Sequence, residues 1–464
     1  MVLKARKSAA KKSRPAKKSA HKFAYHVIRR HFAPFAAEKL VTTSRYFPNH
    51  LKVELAQPLA ELTAAVGPDG FTGLFFRGEI GSTFSSLLVE DDDPVLIALS
   101  HYEEVELGDG ERIRCLKNGL WLGGKGDARF AAVYLYDVDF EGNGMLRLEI
   151  AVLPGAEGER ATKCVLARFD DAIRKAKGLR GRVLSFERDE RHGYAGVKVH
   201  RLPAVSREEI ILPESTLALI DSNIIRFTAH RPALAALGLP VKKGVLFHGA
   251  PGTGKTRTIQ YIAATLRDAT MFLVTAEEIE HLRECIALAR MLQPAIVVIE
   301  DVDLIAEDRN SIYDLRVLSL LNRLLNEMDG LREDSEILFI LTTNRPEVLE
   351  NALAARPGRV DQAIEFPLPD EACRRELVRL YAGKLEISEA ALAEIVRRTR
   401  GVTASFIKEL MRRAAQAYLE VNGAGPVACE LFVSAIEEMT LIGGKLNAKL
   451  LGADKHAPGF VRAV

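Results

Sequence analysis

Cysteine is scarce in this chain and never paired in spacing. Among 464 residues there are five, Cys115, Cys164, Cys285, Cys373 and Cys429, with no Cys-x-x-Cys and no companion histidine cluster, which argues against a disulfide framework or structural zinc and suits a reducing compartment. His192, His200 and Asp189 are too irregularly spaced for a metal set and read as a solvated loop. No apolar run approaches bilayer length and the N-terminus lacks the apolar segment of a signal peptide, so the expectation is a soluble, intracellular, cytoplasmic protein with no membrane partner. Tryptophan occurs once, at Trp121, as easily a core residue as a contact surface. Acidic residues are missing from the first 22 positions, which carry nine Lys/Arg.

What is present is enough for a folded protein. A hydrophobic content of 48% excludes disorder of the whole chain, and a net charge of +2 gives no global field for polyanions. Residues 1–22 read as a disordered basic tail, either solubilising or an arm that binds nucleic acid by neutralising phosphates. An amphipathic helix is expected from Phe23 to about Leu40. Residues 23–205 read as an α+β recognition domain, with strands at 94–99, 131–136, 145–152 and 181–186 and a helix at 161–177. No catalytic constellation appears there.

The informative stretch is Gly249-Ala250-Pro251-Gly252-Thr253-Gly254-Lys255-Thr256, which follows a short apolar run and fits the phosphate-loop pattern at every fixed position. Glycines let the loop turn its N–H groups inward around phosphate oxygens, and the helix expected from Lys255 adds the positive end of its dipole. Lys255 supplies a charge near the β/γ oxygens and the Thr256 hydroxyl is placed to ligate Mg²⁺. Strands at 270–274, 295–299, 337–342 and 363–366 alternating with helices predict a parallel sheet covered on both faces. The period of Leu318, Leu321, Leu325 and Met328 predicts a further helix. Ile296 to Ile299 delivers Glu300 and Asp301 to the carboxyl edge of that sheet, where one acid can hold Mg²⁺ and its neighbour activate water. Asn344 closes another apolar strand with an amide suited to a phosphate or the attacking water. Arg356 and Arg359 flank a Pro-Gly turn, and guanidinium stabilises the charge that spreads in phosphoryl transfer. If they do not reach their own nucleotide they serve a neighbour's, which implies a ring.

These motifs, with Leu-Leu-Asn-Glu-Met-Asp-Gly-Leu and Leu-Thr-Thr-Asn-Arg-Pro, resemble the AAA family of ATPases over about residues 206–441. The resemblance implies a five-stranded nucleotide-binding subdomain (206–369), a helical lid (370–445) and a C-terminal tail (446–464). It also implies Mg-ATP hydrolysis and a homo-oligomeric, usually hexameric ring that remodels an as yet unidentified protein client; the alternative is an ATP-gated module that holds nucleic acid through residues 1–22. It gives Asn344 the sensor-one role and Arg356 and Arg359 arginine-finger roles. The acids stand as Glu-Asp where the family usually has Asp-Glu, as in the similar mitochondrial membrane-bound AAA translocases, so Glu300 takes the Mg²⁺ role and Asp301 polarises water. The lid segment 401–405 lacks an arginine. The stretch from Thr275 to Leu282 lacks the aromatic residue that grips a threaded chain; Glu278, Glu280 and His281 are expected nearest the channel. There is no His-Glu-x-x-His and thus no linked metalloprotease.

Overall fold

A computed structural model of the chain describes residues 23–76, 83–90, 94–107, 110–138, 144–175, 178–188, 195–275, 278, 281–303, 324, 326–347, 359–421 and 425–442. Both tails, Arg356, Glu280, Asp189, His192, Leu318, Leu321 and Leu325 lie outside the described residues. The chain divides into two units, the first comprising 1–106, 110–176 and 189–194, the second 107–109, 177–188 and 195–464.

In the first unit the elements run α1 (Ala24–Phe32), β1 (Val41–Pro48), α2 (Lys52–Val66), β2 (Phe71–Phe75), β3 (Leu96–Ala98), β4 (Tyr102–Glu106), β5 (Arg112–Leu116), β6 (Gly119–Gly123), β7 (Phe130–Val138), β8 (Gly144–Val152) and α3 (Ala156–Lys175). A six-stranded antiparallel sheet has the order β1-β8-β7-β6-β2-β3, and β4 pairs with β5 as a separate ribbon. Helix α1 buries Ala24, Ile28 and Phe32, one face at four-residue spacing, against Leu120, Val133 and Ala151. It stops at Phe32, short of the predicted Leu40, because Pro34 cannot continue it. Helix α3 begins earlier than predicted, at Ala156, with Glu157 and Glu159 in the first turn where the helix dipole favours acids. Trp121 is a core residue, its indole N–H donating to the Thr63 hydroxyl at 2.9 Å.

The second unit runs β9 (Val183–Arg188), β10 (Ala195–His200), α4 (Glu214–Ile220), α5 (Arg226–Ala236), β11 (Lys243–His248), α6 (Lys255–Thr265), β12 (Thr270–Val274), α7 (Leu282–Met291), β13 (Ala295–Ile299), β14 (Ile337–Thr343), β15 (Gln362–Glu365), α8 (Glu371–Ala382), α9 (Glu389–Arg398), α10 (Ala404–Glu420) and α11 (Cys429–Glu437). Its sheet has the order β10-β9-β12-β13-β14-β11-β15, and the last five are parallel, in the α/β arrangement the strand pattern predicts. β13 is buried at every position, as befits a central strand covered on both faces. Its Ile296 and Val298 pack with Val245, Phe247, Leu338 and Ile340.

The sheet departs from the sequence reading. The sheet has seven strands, not five: β9 lies parallel to β12, with Val183 opposite Met271 and Leu184 opposite Phe272, and β10 pairs antiparallel with β9. Residues 183–188 and 195–200 therefore belong with the parallel sheet of the second unit, not with the recognition domain bounded at 205. Strand patterning reports a buried face but not which sheet supplies it. Between residues 214 and 236, α4 and α5 are joined by a π-helical turn, Asp221–Ile225.

Helices α8 to α11 form the lid, around Leu377, Leu392, Ile395, Phe406, Leu410 and Phe432. Asp370, Ser388 and Thr403 cap α8, α9 and α10, each accepting a backbone N–H from three residues on. Of the helix predicted through Met328, Leu324 and residues 326–329 are described and helical, with Met328 buried. Among the described residues no helix is long and apolar enough to cross a membrane.

Candidate nucleotide site

β11 delivers the chain to the carboxyl edge of the sheet, and the phosphate loop turns it into α6. The loop is held from both sides. Gly249 has φ 149°, its N–H donates to the Thr343 carbonyl at 3.3 Å, and a Cβ there would stand 2.3 Å from the Phe366 carbonyl oxygen. Gly252 has φ 80° and its carbonyl accepts the Ser405 N–H at 3.2 Å, so the N-terminus of lid helix α10 rests on the loop. The Thr253 hydroxyl closes the turn onto the Ala250 carbonyl at 2.8 Å, while Pro251 is exposed and Gly254 caps α6 in the left-handed region.

Lys255 is buried with its ammonium donating to the Gly249 carbonyl (2.7 Å), the Ala250 carbonyl (3.1 Å) and Asn344 Oδ1 (2.8 Å). Burial lowers its pKa, and Asp301 and Asp303 oppose that shift. The Thr256 hydroxyl donates to Glu300 Oε1 at 3.2 Å. Burial raises the Glu300 pKa, the Thr256 hydrogen bond opposes this and the neighbouring Asp301 charge adds to it. Asn344 lies between the other two groups, its Nδ2 donating to Asp301 Oδ1 at 2.9 Å. Lys255, Asn344 and Asp301 thus form one hydrogen-bonded chain, and Thr256 with Glu300 a second pair.

Residues the sequence reading assigned no role hold this arrangement. Asp303 is buried and accepts from the Thr343 hydroxyl (2.8 Å) and the Asn344 N–H (3.1 Å). The Thr342 hydroxyl accepts the Asp301 N–H at 3.0 Å. The available signal was two threonines directly before Asn344 and an aspartate two places after Asp301. Ser405 also borders a cavity of about 450 Å³ lined by Tyr381, Ala382, Leu385, Lys408 and Met411.

Arg359 stands apart. Its carbonyl abuts Gly244, and Asp361 N–H donates to the Gly244 carbonyl at 2.8 Å, so it lies at the end of β11 opposite the phosphate loop. Four residues of strand separate those ends by about 13 Å. Its guanidinium is paired with Asp329. Arg356 is outside the described residues. Glu278, expected near a channel, turns its carboxylate back to accept the Thr275 N–H at 3.0 Å, and the His281 ring lies 6.5 Å from that of Phe186. His200 contacts the Ser185 hydroxyl at 2.7 Å.

Comparison with known proteins matches residues 245–368 to the family model described as ATPase family associated with various cellular activities (AAA). The chain is 28% identical over 249 residues to ATP-dependent zinc metalloprotease FtsH 2 of Thermoanaerobacter sp., covering 52% of this chain and 48% of the relative. It is 31% identical over 231 residues to the proteasome-activating nucleotidase of Methanocaldococcus jannaschii, covering 47% and 53%. It is also 31% identical over 224 residues to a cell division cycle protein 48 homolog of Archaeoglobus fulgidus, covering 46% and 30%. The chain spans between 30% and 53% of the length of these relatives. With the phosphate loop, the acidic strand end and the strand-closing asparagine assembled on one sheet edge, the second unit is similar to the AAA family of ATPases over residues 245–368.

Proposed function

We propose that the chain hydrolyses ATP and uses the cycle to remodel a protein client held by its first unit. The observation that carries the proposal is the continuous Lys255–Asn344–Asp301 chain beside the phosphate loop. Lys255 neutralises β/γ oxygens, Asn344 orients the reacting groups, and Asp301 accepts the proton of the attacking water. The Thr256 hydroxyl and Glu300 carboxylate are hard oxygen donors 3.2 Å apart, a fit for Mg²⁺. That ion, when bound, draws charge from the phosphate oxygens. The cavity beside Ser405 is sized for a nucleoside base.

Because Arg359 sits at the far end of β11, its proposed finger role, with Arg356, is toward a neighbouring subunit in a homo-oligomeric ring, a hexamer in this reading. The client acts as a folded partner outside that ring and is not threaded, since no aromatic grip follows Thr275. The proposed location is the cytoplasm. ATP affinity by calorimetry and phosphate release decide the core of the reading. Asp301→Asn should bind ATP as the parent does and lose turnover, whereas Lys255→Ala should lose binding. Retained micromolar affinity in Lys255→Ala would defeat the assignment.

A further inference from the structure

We infer that Thr342 is a positioning residue for Asp301 and that Asp303 does the same for Asn344. Asp301 has φ 49°, the one non-glycine residue at positive φ among those described. Aspartate enters this left-handed region at a cost that surrounding bonds must offset. Thr342 holds the backbone on both sides of the bend: its hydroxyl accepts the Asp301 N–H at 3.0 Å and its carbonyl accepts the Val302 N–H at 2.9 Å.

The next turn of the chain is fastened in the opposite sense. Asp303 reaches back from the acidic segment to the end of β14, accepting from the Thr343 hydroxyl and the Asn344 N–H. Thr342, Thr343 and Asp303 are all buried. Thr342 also pairs in register with Phe247, so the same clip ties both segments to the strand that carries the phosphate loop. The order Glu300-Asp301 puts the shorter side chain in the water-activating place. Turning its backbone into the left-handed region is what brings Oδ1 within 2.9 Å of Asn344 Nδ2. A hydroxyl at 342 is what an ordinary core strand would not require, since valine fills the same volume with better strand propensity.

This inference rests on the proposed hydrolysis, and two independent readouts separate the two. In the full-length protein, Thr342→Val should lower kcat about 10- to 100-fold, the scale expected for a displaced reacting group. ATP affinity and melting temperature should stay close to the parent's, and Thr342→Ser should restore turnover. Asp303→Asn should likewise lower kcat more than it weakens binding. Amide hydrogen exchange over residues 300–303 should rise in Thr342→Val and not in Thr342→Ser. In an Asp301→Asn background, Thr342→Val should remove little of the residual turnover, because the group it positions is already gone. A parent protein that binds ATP without hydrolysing it would defeat the functional reading while exchange still decides the positioning. Unchanged exchange in Thr342→Val would overturn the inference, and so would equal loss of binding and turnover or additive losses in the double variant.

Discussion

Gly252 is where the phosphate loop and the lid touch, and its φ of 80° makes it intolerant of a side chain. A Cβ there would lie 2.7 Å from Ser405 Oγ and 2.9 Å from Ser405 Cβ. Gly252→Ala should therefore strain the loop and push α10 away, at about 1–3 kcal/mol. Thermal melting and ATP calorimetry should show both a lower midpoint and weaker binding; wild-type values in both would mean that the contact is slack. In the first unit His50 is buried, and burial lowers its pKa to about 4. Above the ordinary histidine range both states are neutral and nothing is lost. As pH falls from about 6.5 to 4 the unfolded chain takes up the proton first, so stability declines across that window by at most about 3 kcal/mol. His50→Gln should flatten this part of the stability–pH curve in denaturant titrations of the first unit's signal.

At the scale of elements, β13 is vulnerable to damage, being buried at every position. Ile296→Ala should cost about 2–5 kcal/mol through lost burial and the cavity left behind, read as an earlier urea midpoint; a change under about 1 kcal/mol would show that the neighbouring strands collapse into the gap. The parallel strands were legible because buried β-branched runs such as Ile296 to Ile299 have few alternatives, and their limits agree with the structure to within one or two residues. The residues of the proposed site stood out for the same reason, each following such a run: Lys255 and Thr256 after β11, Glu300 and Asp301 after β13, Asn344 after β14. Hydrogen bonds between strand ends were not legible. Nothing local to Thr342 says that its hydroxyl meets Asp301, because the partner is 41 residues away. Sheet membership of β9 and β10 failed likewise, since the pairing of Val183 with Met271 spans a long sequence separation. The π-helical turn at 221–225 carries no proline or glycine to announce it.

For the whole molecule, the separation of Arg359 from the phosphate loop sets a test of assembly. If Arg359 serves a neighbour, Arg359→Ala should bind ATP normally and hydrolyse it orders of magnitude more slowly. Mixing it with Lys255→Ala should recover part of the turnover, because some mixed interfaces pair an intact pocket with an intact arginine. No recovery in oligomers shown to exchange subunits would restrict Arg359 to its own chain, where it pairs with Asp329. The β9–β10 hairpin has a practical consequence of its own. By pairing with Met271 and Phe272 it caps the side of the parallel sheet that β12 would otherwise leave open, and an uncapped strand of unsatisfied N–H and C=O groups recruits other chains. A fragment cut at Ser206 should keep every residue of the candidate nucleotide site and still precipitate or self-associate, whereas one begun near residue 178, carrying its own edge protection, should stay dispersed.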